Sequence, residues 1–346
     1  MNIALDSTYS VGADLSGVGV YSREMLHGLT RAHPEDRFTF CYRPHRFLRS
    51  LRERLPGNAG RFLLGETRAP RSADLFHGLN QRLPNTRLRR AVTTFHDLFV
   101  LTGEYSTPEF RRRFAEQARD AAARSDRIVA VSQFTARQVV DVLGVEAERV
   151  RVVHHGVTLP PRTAVQREKI ILHVGAIQHR KNIGRLVDAF GKVDRDWQLV
   201  LAGSAGYGAA EIMAKIDAAP GRERIRVLGY VRPAELADWY ARATIFAFPS
   251  LDEGFGMPVL EAMASGTPVV ASNRSAVPEV AGDAAWLVNP EDTEELADAL
   301  VTLAGDAGRR AELSRRGTER AKQFTWAEAV EKTWQVYSEL ADDRPD

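Results

Sequence analysis

The chain reads as an α/β protein built from two parallel-sheet domains, and three observations predict this. Short apolar runs such as Ile128–Val131 and Leu199–Leu201 alternate with amphipathic stretches through both halves, the pattern of strands and helices that cover one another in layers. A length of 346 residues suits two domains of ordinary size. Between the halves, Thr158–Glu168 carries Pro160-Pro161 and reads as a linker. The expected division is a first domain over 1–160 and a second over 166–325, both Rossmann-like and facing a cleft.

Composition narrows the function classes. Apolar residues make up 44% and charged residues 27%, enough for true cores under an ordinary polar surface. A single cysteine, Cys41, excludes an intrachain disulfide and a cysteine-based metal cluster. The opening Asn2–Asp6 is too short for a signal peptide. No stretch nears the roughly 18 apolar residues of a membrane span, so the expected location is cytoplasmic. Charge is uneven: residues 1–165 hold 25 arginines and no lysine against 17 acids, whereas residues 166–346 hold 22 basic against 28 acidic residues. A basic half and an acidic half suggest different partners, although an arginine-rich composition also follows from a GC-rich genome.

In the first half, Met1–Leu5 is the first strand, followed by the glycine- and serine-rich loop Ser7–Gly19. Gly17-Val18-Gly19-Val20-Tyr21-Ser22 opens a helix with Met25, Leu26 and Leu29 on one face. This falls short of the dinucleotide fingerprint, with serine in the last place and too long a gap after the strand. Arg37–Tyr42 is the second strand; Arg43, His45 and Arg46 after it supply no acid for a ribose, which disfavours a nicotinamide cofactor. His45–Leu55 alternates Phe47, Leu48, Leu51 and Leu55 with Arg46, Arg49, Arg52 and Arg54. It predicts a basic amphipathic helix, either a domain helix with a solvated face or one resting on an anionic membrane. Leu75–Gly78 and Ala91–Leu98 are strands that carry His77 and His96 toward their C-terminal ends, where open α/β sheets bind ligands. Glu109–Arg124 is a helix, Ile128–Ser132 a strand running into a serine-capped helix, and Val150–Val153 a strand ending in His154-His155-Gly156.

The second half begins again with strand Ile170–Gly175, the loop Ala176–Lys181 and a helix from Asn182. Arg180 and Lys181 at a helix start oppose its dipole, which disfavours a purely structural role; together they suit a diphosphate. Gln198–Gly203 and Ile225–Val231 are further strands. Asp194-Arg195-Asp196 precedes a strand, at the edge away from ligands, and reads as a loop coincidence rather than a metal site. The organising stretch is Leu251–Val270. A buried strand, Ile245–Phe248, gives way to Asp252-Glu253-Gly254-Phe255-Gly256, then Pro258 at a helix start, with Gly266 as its stop. A glycine loop opening a helix after a strand favours phosphate, because free N–H groups and the helix dipole point there. Glu253 and Glu261 flank it, and carboxylates are acceptors suited to sugar hydroxyls; a capped helix with a solvated glutamate is the plainer alternative. Strand Ala285–Val288 and helices Thr293–Leu303 and Thr325–Leu340 complete the chain.

Glu253 and Glu261, with seven residues between them and Gly254-Phe255-Gly256 inside, resemble the E-x7-E signature of retaining family 4 glycosyltransferases. The resemblance spans nearly the whole chain and is strongest over 170–290. It implies a GT-B fold, with the C-terminal helix 326–346 crossing back to an acceptor-binding first domain. It also implies donor-site roles. Glu253 contacts the donor sugar and Glu261 the ribose, within a donor-binding set of Gly254, Phe255, Gly256, Met257, Leu260 and Glu261. Arg180-Lys181-Asn182 resembles the family's R-K-[NG], whose cations neutralise the diphosphate. Ala176 stands where some members have arginine, so that task falls on Arg180 and Lys181. Val231 lies beside the base, His96 of the F-H-D-L segment approaches the donor sugar, and Gly17 and Gly19 resemble the loop facing diphosphate and acceptor. His155 stands where the family usually has asparagine.

The function this implies is transfer of a hexose from a nucleoside diphosphate sugar to an acceptor hydroxyl with retention, without a metal or cofactor. No carboxylate stands out as a nucleophile, and the resemblance favours front-face attack. The H-D-L, R-K-N and S-x-x-P-E-V-A-G-D-A-A segments are most similar to mannosyl- and rhamnosyltransferases of polysaccharide assembly, making GDP-mannose the first donor to try. The acceptor is a sugar or lipid-linked, and nucleic acid is not an expected partner. The alternatives are an epimerase or phosphorylase on the same fold, or a non-catalytic nucleotide-sugar-binding module.

Overall fold

The computed structural model describes residues 1–12, 14–159 and 165–342. Pro160-Pro161 of the expected linker and residues 343–346 of the expected last helix lie outside the described residues. The chain forms two compact units. Unit 1 comprises Met1–Thr102, Thr107–Gly156 and the chain from Thr325 onward; unit 2 comprises Gly103–Ser106 and Val157–Phe324.

Unit 1 holds seven strands: β1 (Asn2–Asp6), β2 (Arg37–Tyr42), β3 (Ala59–Leu63), β4 (Leu75–Gly78), β5 (Ala91–Phe95), β6 (Arg127–Ala130) and β7 (Val150–Val152). Their order is β3-β2-β1-β4-β5-β6-β7, and every pairing is parallel. The inner strands are buried throughout, as a parallel sheet covered on both faces requires. On one face Tyr21, Met25, Leu26 and Leu29 of the helix Gly17–Ala32 join Ile3 and Leu5. Val330, Val336, Tyr337 and Leu340 of the helix Trp326–Asp342 enter the same core, so the C-terminal helix returns to the first unit as the resemblance implied.

Unit 2 repeats the plan with β8 (Glu168–Val174), β9 (Gln198–Ala202), β10 (Ile225–Gly229), β11 (Ala243–Phe248), β12 (Val269–Ser272) and β13 (Trp286–Val288). The order is β10-β9-β8-β11-β12-β13, again parallel. Helices Ile183–Phe190 and Thr293–Gly305 bury Leu186, Phe190, Leu296 and Leu300 against Ile171, Leu199 and Ile245.

The structure corrects several sequence expectations. The basic stretch is helical only over Pro44–Ser50. Beyond Ser50, backbone bonds from Leu51, Arg52 and Glu53 reach three residues back, and Pro56-Gly57 then ends the turn. The expected apolar stripe splits: Phe47 and Leu55 pack on the core, while Leu48 and Leu51 are 77% and 55% exposed. The strand expected to reach Leu98 ends at Phe95, and the strand expected to reach Val231 ends at Gly229, whose φ of 68° turns the chain. His96 and Val231 therefore stand in loops. Strand β3 and the helices Ala209–Asp217, Pro233–Arg242 and Ala307–Ala321 were not read from the sequence; the last buries Gly317 and Ala321. Among the described residues no helix is long and apolar enough to cross a membrane.

Candidate active site

In unit 2 the chain runs from β8 outward to β9 and β10, then returns to place β11, β12 and β13 on the other side of β8. The loops after β8 and β11 thus leave the sheet in opposite directions and open a crevice at its C-terminal edge, the usual place for a ligand. Arg180 and Lys181 come from the first of these loops, in the turn His179–Lys181, and Glu253 from the second. Hydrogen bonds tie the loops together: Leu251 N–H donates to the Arg180 carbonyl at 2.8 Å, and the Asn182 side-chain amide Nδ2 donates to the Pro249 and Pro290 carbonyls at 3.1 and 2.6 Å.

The three charged side chains, placed separately on the donor by the resemblance, meet in one cluster. The Arg180 guanidinium lies 3.0 Å from Glu253 Oε2, and the Lys181 ammonium donates to Glu253 Oε1. Arg180 also donates to the Asp252 carbonyl. All three residues are 7% exposed, so the cluster is a nearly dry site. Burial pushes the Glu253 carboxyl up, but Arg180 and Lys181 overcome it and hold the group at about 2. A carboxylate so acidic is a poor proton acceptor near neutral pH; it positions charge rather than moving protons. Ser275 Oγ accepts from Glu253 N–H at 3.0 Å, and Ala276 N–H donates to the Glu253 carbonyl at 3.2 Å, fixing the loop from the far side.

Sequence reasoning missed the platform beneath Lys181. Its ammonium sits 4.8 Å from the centre of the Phe248 ring. His173 stacks on the same ring, its Nδ1 bonded to the Ala247 carbonyl at 2.9 Å, and burial holds it neutral, at about 4. A polar residue inside the apolar run Ile170–Val174 was the one available signal.

The helix Met257–Ala264 begins at Gly256, whose φ of 101° suits glycine, and no side chain caps it. Phe255 is buried and meets Phe324 edge-on at 6.0 Å, and Leu260 is buried, so both anchor the element, while Met257 is half-buried. Glu261 is half-buried one turn inside. Tyr240, buried in the helix Pro233–Arg242, donates to its Oε2 at 2.8 Å, and Oε1 carries no hydrogen bond among the described residues. Burial pushes the Glu261 carboxyl up, against the lowering effect of the Tyr240 hydroxyl. Val231 is buried just beyond β10. Asp196 pairs with Lys169 at the N-terminal edge, away from this crevice.

Unit 1 has its own reversal between β1 and β4. Gly17 starts its helix exposed to solvent, while Gly19 is buried, and a Cβ there would lie 2.8 Å from the Tyr9 carbonyl. Ser16 Oγ accepts from Gly19 N–H at 3.3 Å. At the strand ends stands a buried group that single-residue reading missed. His77 bonds Tyr337 through Nδ1 and Thr94 Oγ1 through Nε2 at 2.9 Å, and Thr94 Oγ1 lies 2.9 Å from the Tyr21 hydroxyl. His96 packs on Tyr21 at 4.8 Å and stacks on His155 at 5.3 Å. Its Nε2 donates to the Leu79 carbonyl at 2.9 Å, which fixes the tautomer and leaves Nδ1 with the lone pair. Burial lowers His77 to about 3 and His96 to about 4, and drives His155 well below its ordinary value.

Two sequence families cover these units: one described as glycosyltransferase family 4 matches residues 15–159, and one described as glycosyl transferases group 1 matches residues 168–306. An O-antigen chain mannosyltransferase B of Escherichia coli is 31% identical over 284 residues, which cover 77% of this chain and 74% of that protein. The chain belongs to glycosyltransferase family 4. A D-inositol 3-phosphate glycosyltransferase of Xylanimonas cellulosilytica is 33% identical over 266 residues, 70% of this glycosyltransferase and 63% of the relative. In fold the enzyme is similar to sucrose-phosphate synthase from Thermosynechococcus elongatus, with a TM-score of 0.79, 21% identity and coverage of 99% and 100% of the two chains. The fold is GT-B, the protein is a transferase, and the epimerase, phosphorylase and binding-module alternatives are not favoured.

Proposed function

We propose that this glycosyltransferase moves a hexose, with mannose the first choice, from a nucleoside diphosphate donor to an acceptor hydroxyl with retention of configuration. The observation that carries the reading is the buried Arg180–Glu253–Lys181 cluster beside the uncapped start of the helix Met257–Ala264. Its two cations and the positive end of the helix dipole suit a diphosphate that gains charge as the glycosidic bond breaks. Unit 2 then takes the donor. Glu261 binds the ribose through Oε1, Val231 borders the base, and Gly254, Phe255, Gly256, Met257 and Leu260 shape the loop and helix start. Glu253 holds both cations and contacts the sugar. In unit 1, His96 offers Nδ1 to a sugar hydroxyl, and Gly17 and Gly19 line the approach of diphosphate and acceptor.

Glu253, ion-paired twice and strongly acidic, does not suit a nucleophile or base, which supports front-face attack in which the departing phosphate takes the acceptor proton. With Arg180 and Lys181 carrying the leaving-group charge, no divalent metal or cofactor is required; activity persists in EDTA, and a loss restored by magnesium or manganese overturns this. Similarity to an O-antigen mannosyltransferase supports GDP-mannose and a role in polysaccharide or glycolipid assembly. The test is release of GDP from GDP-mannose only when an acceptor is present, with the product's anomeric configuration read by NMR. The chain is placed on the cytoplasmic face, and the basic first half, with Leu48 and Leu51 exposed among Arg49, Arg52 and Arg54, supports peripheral contact with an anionic membrane.

A further inference from the structure

The opposite edge of the unit 1 sheet, where the strands begin, carries a groove of about 1160 Å³. Met1 before β1, Leu75 at the start of β4 and Arg90 before β5 mark its place, with Tyr337 and Leu340 of the C-terminal helix alongside. Leu75, Phe76, Tyr337 and Leu340 are buried core residues behind the groove, and its accessible apolar surface comes from half-buried Ala69, Pro70 and Leu88. Around it stand Arg68, Arg71, Arg87, Arg89 and Arg90, against a single acid, Asp74.

That acid is already engaged. Asp74 accepts from Asn2 N–H at 2.9 Å and lies 3.3 Å from the Arg89 guanidinium. Among the described residues Arg68, Arg71 and Arg87 make no ion pair; Arg68 rests on the Phe62 ring at 5.1 Å. Solvated arginines are common on convex surfaces, where they spread apart. Here like charges converge on a concave, low-dielectric wall, which focuses positive potential and attracts anions. Planar guanidinium forks match phosphate oxygens in pairs. Half-buried Ala69, Pro70 and Leu88 would meet the non-phosphate part of such a ligand.

We infer that this arginine-rimmed groove is a phosphate-binding site separate from the donor crevice, built for a phosphate-bearing molecule with an apolar portion. Two sources share that chemistry: an anionic phospholipid headgroup or a soluble phosphorylated compound. The groove lies at the N-terminal ends of the unit 1 strands and shares no residue with the donor site, so the inference stands whether or not the proposed donor is correct.

The test uses full-length protein and two probes: sodium tripolyphosphate by isothermal titration, and co-sedimentation with vesicles of phosphatidylglycerol in phosphatidylcholine. R71Q/R87Q removes two arginines that hold no partner, so its melting temperature should match wild type. Binding of at least one probe should weaken about tenfold or more in R71Q/R87Q and return in R71K/R87K. The surface control R137Q/R195Q, at two exposed arginines away from the groove, should retain it. Loss with both probes identifies a headgroup, and loss with tripolyphosphate alone a soluble ligand; loss with vesicles alone identifies a site needing the lipid surface. If wild type binds neither probe, or if R71Q/R87Q and R137Q/R195Q lose binding equally, the site does not exist.

Discussion

The two units bury polar groups at the same place on the same sheet plan, yet solve the cost of burial in opposite ways. At the ends of β4, β5 and β7 in unit 1 the groups are neutral: His77, His96 and His155 give up their protons and stack or hydrogen-bond among Tyr21, Thr94 and Tyr337, while the buried Asp6–Arg43 pair beyond β1 and β2 is the charged exception. At the strand ends of unit 2 they stay charged, and Glu253 remains ionised because Arg180 and Lys181 hold it from both sides. A neutral pocket suits hydroxyls, whereas a charged one suits a diphosphate. The contrast therefore matches a sugar-facing unit and a donor-phosphate unit, and it makes the two sites respond differently to mutation and to pH.

The largest effect should come from breaking the charged cluster. Glu253→Ala leaves two cations buried without their counter-charge, a loss of about 3–5 kcal/mol in urea unfolding, together with a fall in turnover. A loss confined to turnover, with stability intact, would mean that water reaches the cations and that the site is not dry. Acid should expose the neutral pocket next. His77 and His96 stand at about 3 and 4 in the fold and near 6.5 unfolded, so the unfolded chain binds more protons below pH 6.5. Their contribution is intact above that pH and is lost as pH falls toward 4, by about 1.4 kcal/mol per pH unit for each histidine. Glu253, lowered from 4.5 to about 2, loses its contribution only below about 4.5. Urea midpoints at pH 7.5 and 5.0 should therefore drop through the histidines, His173 of unit 2 included. A flat profile over that range contradicts the neutral pocket. The smallest effect sharpens the donor side: Tyr240→Phe frees Glu261 Oε2 and should weaken nucleoside diphosphate binding by about 0.5–1.5 kcal/mol while leaving kcat unchanged.

Legibility in the sequence followed the same divide. The loop motif around Glu253, the Arg180-Lys181 pair and the strand–helix alternation are local patterns, so the fold and the donor-side residues could be named from them. That Glu253 sits between both cations could not, because residues 72 apart meet only once β8 and β11 are neighbours. The histidine pocket was hidden for a similar reason. His77, His96 and His155 lie on three separate segments, and His77's partner Tyr337 comes from the far end of the chain. His96 was named through its F-H-D-L segment, but nothing local showed that His77 and His155 join it. The Arg46–Arg54 stretch shows the converse failure. Its periodicity continued beyond Ser50, but local turn bonding ended the helix, and packing took Phe47 and Leu55 inward while leaving Leu48 and Leu51 outside.

The central claim is that unit 2 holds a nucleoside diphosphate through its own cations and through Glu261, without a metal. Titration of GDP into wild type and Glu261→Ala, both in EDTA, tests it directly. The account predicts that wild type binds and that the variant binds more weakly by about 1.5–3 kcal/mol, the range for hydrogen bonds to a charged group. Equal affinity of the two proteins, or wild-type binding that appears only when magnesium or manganese is added, would contradict it.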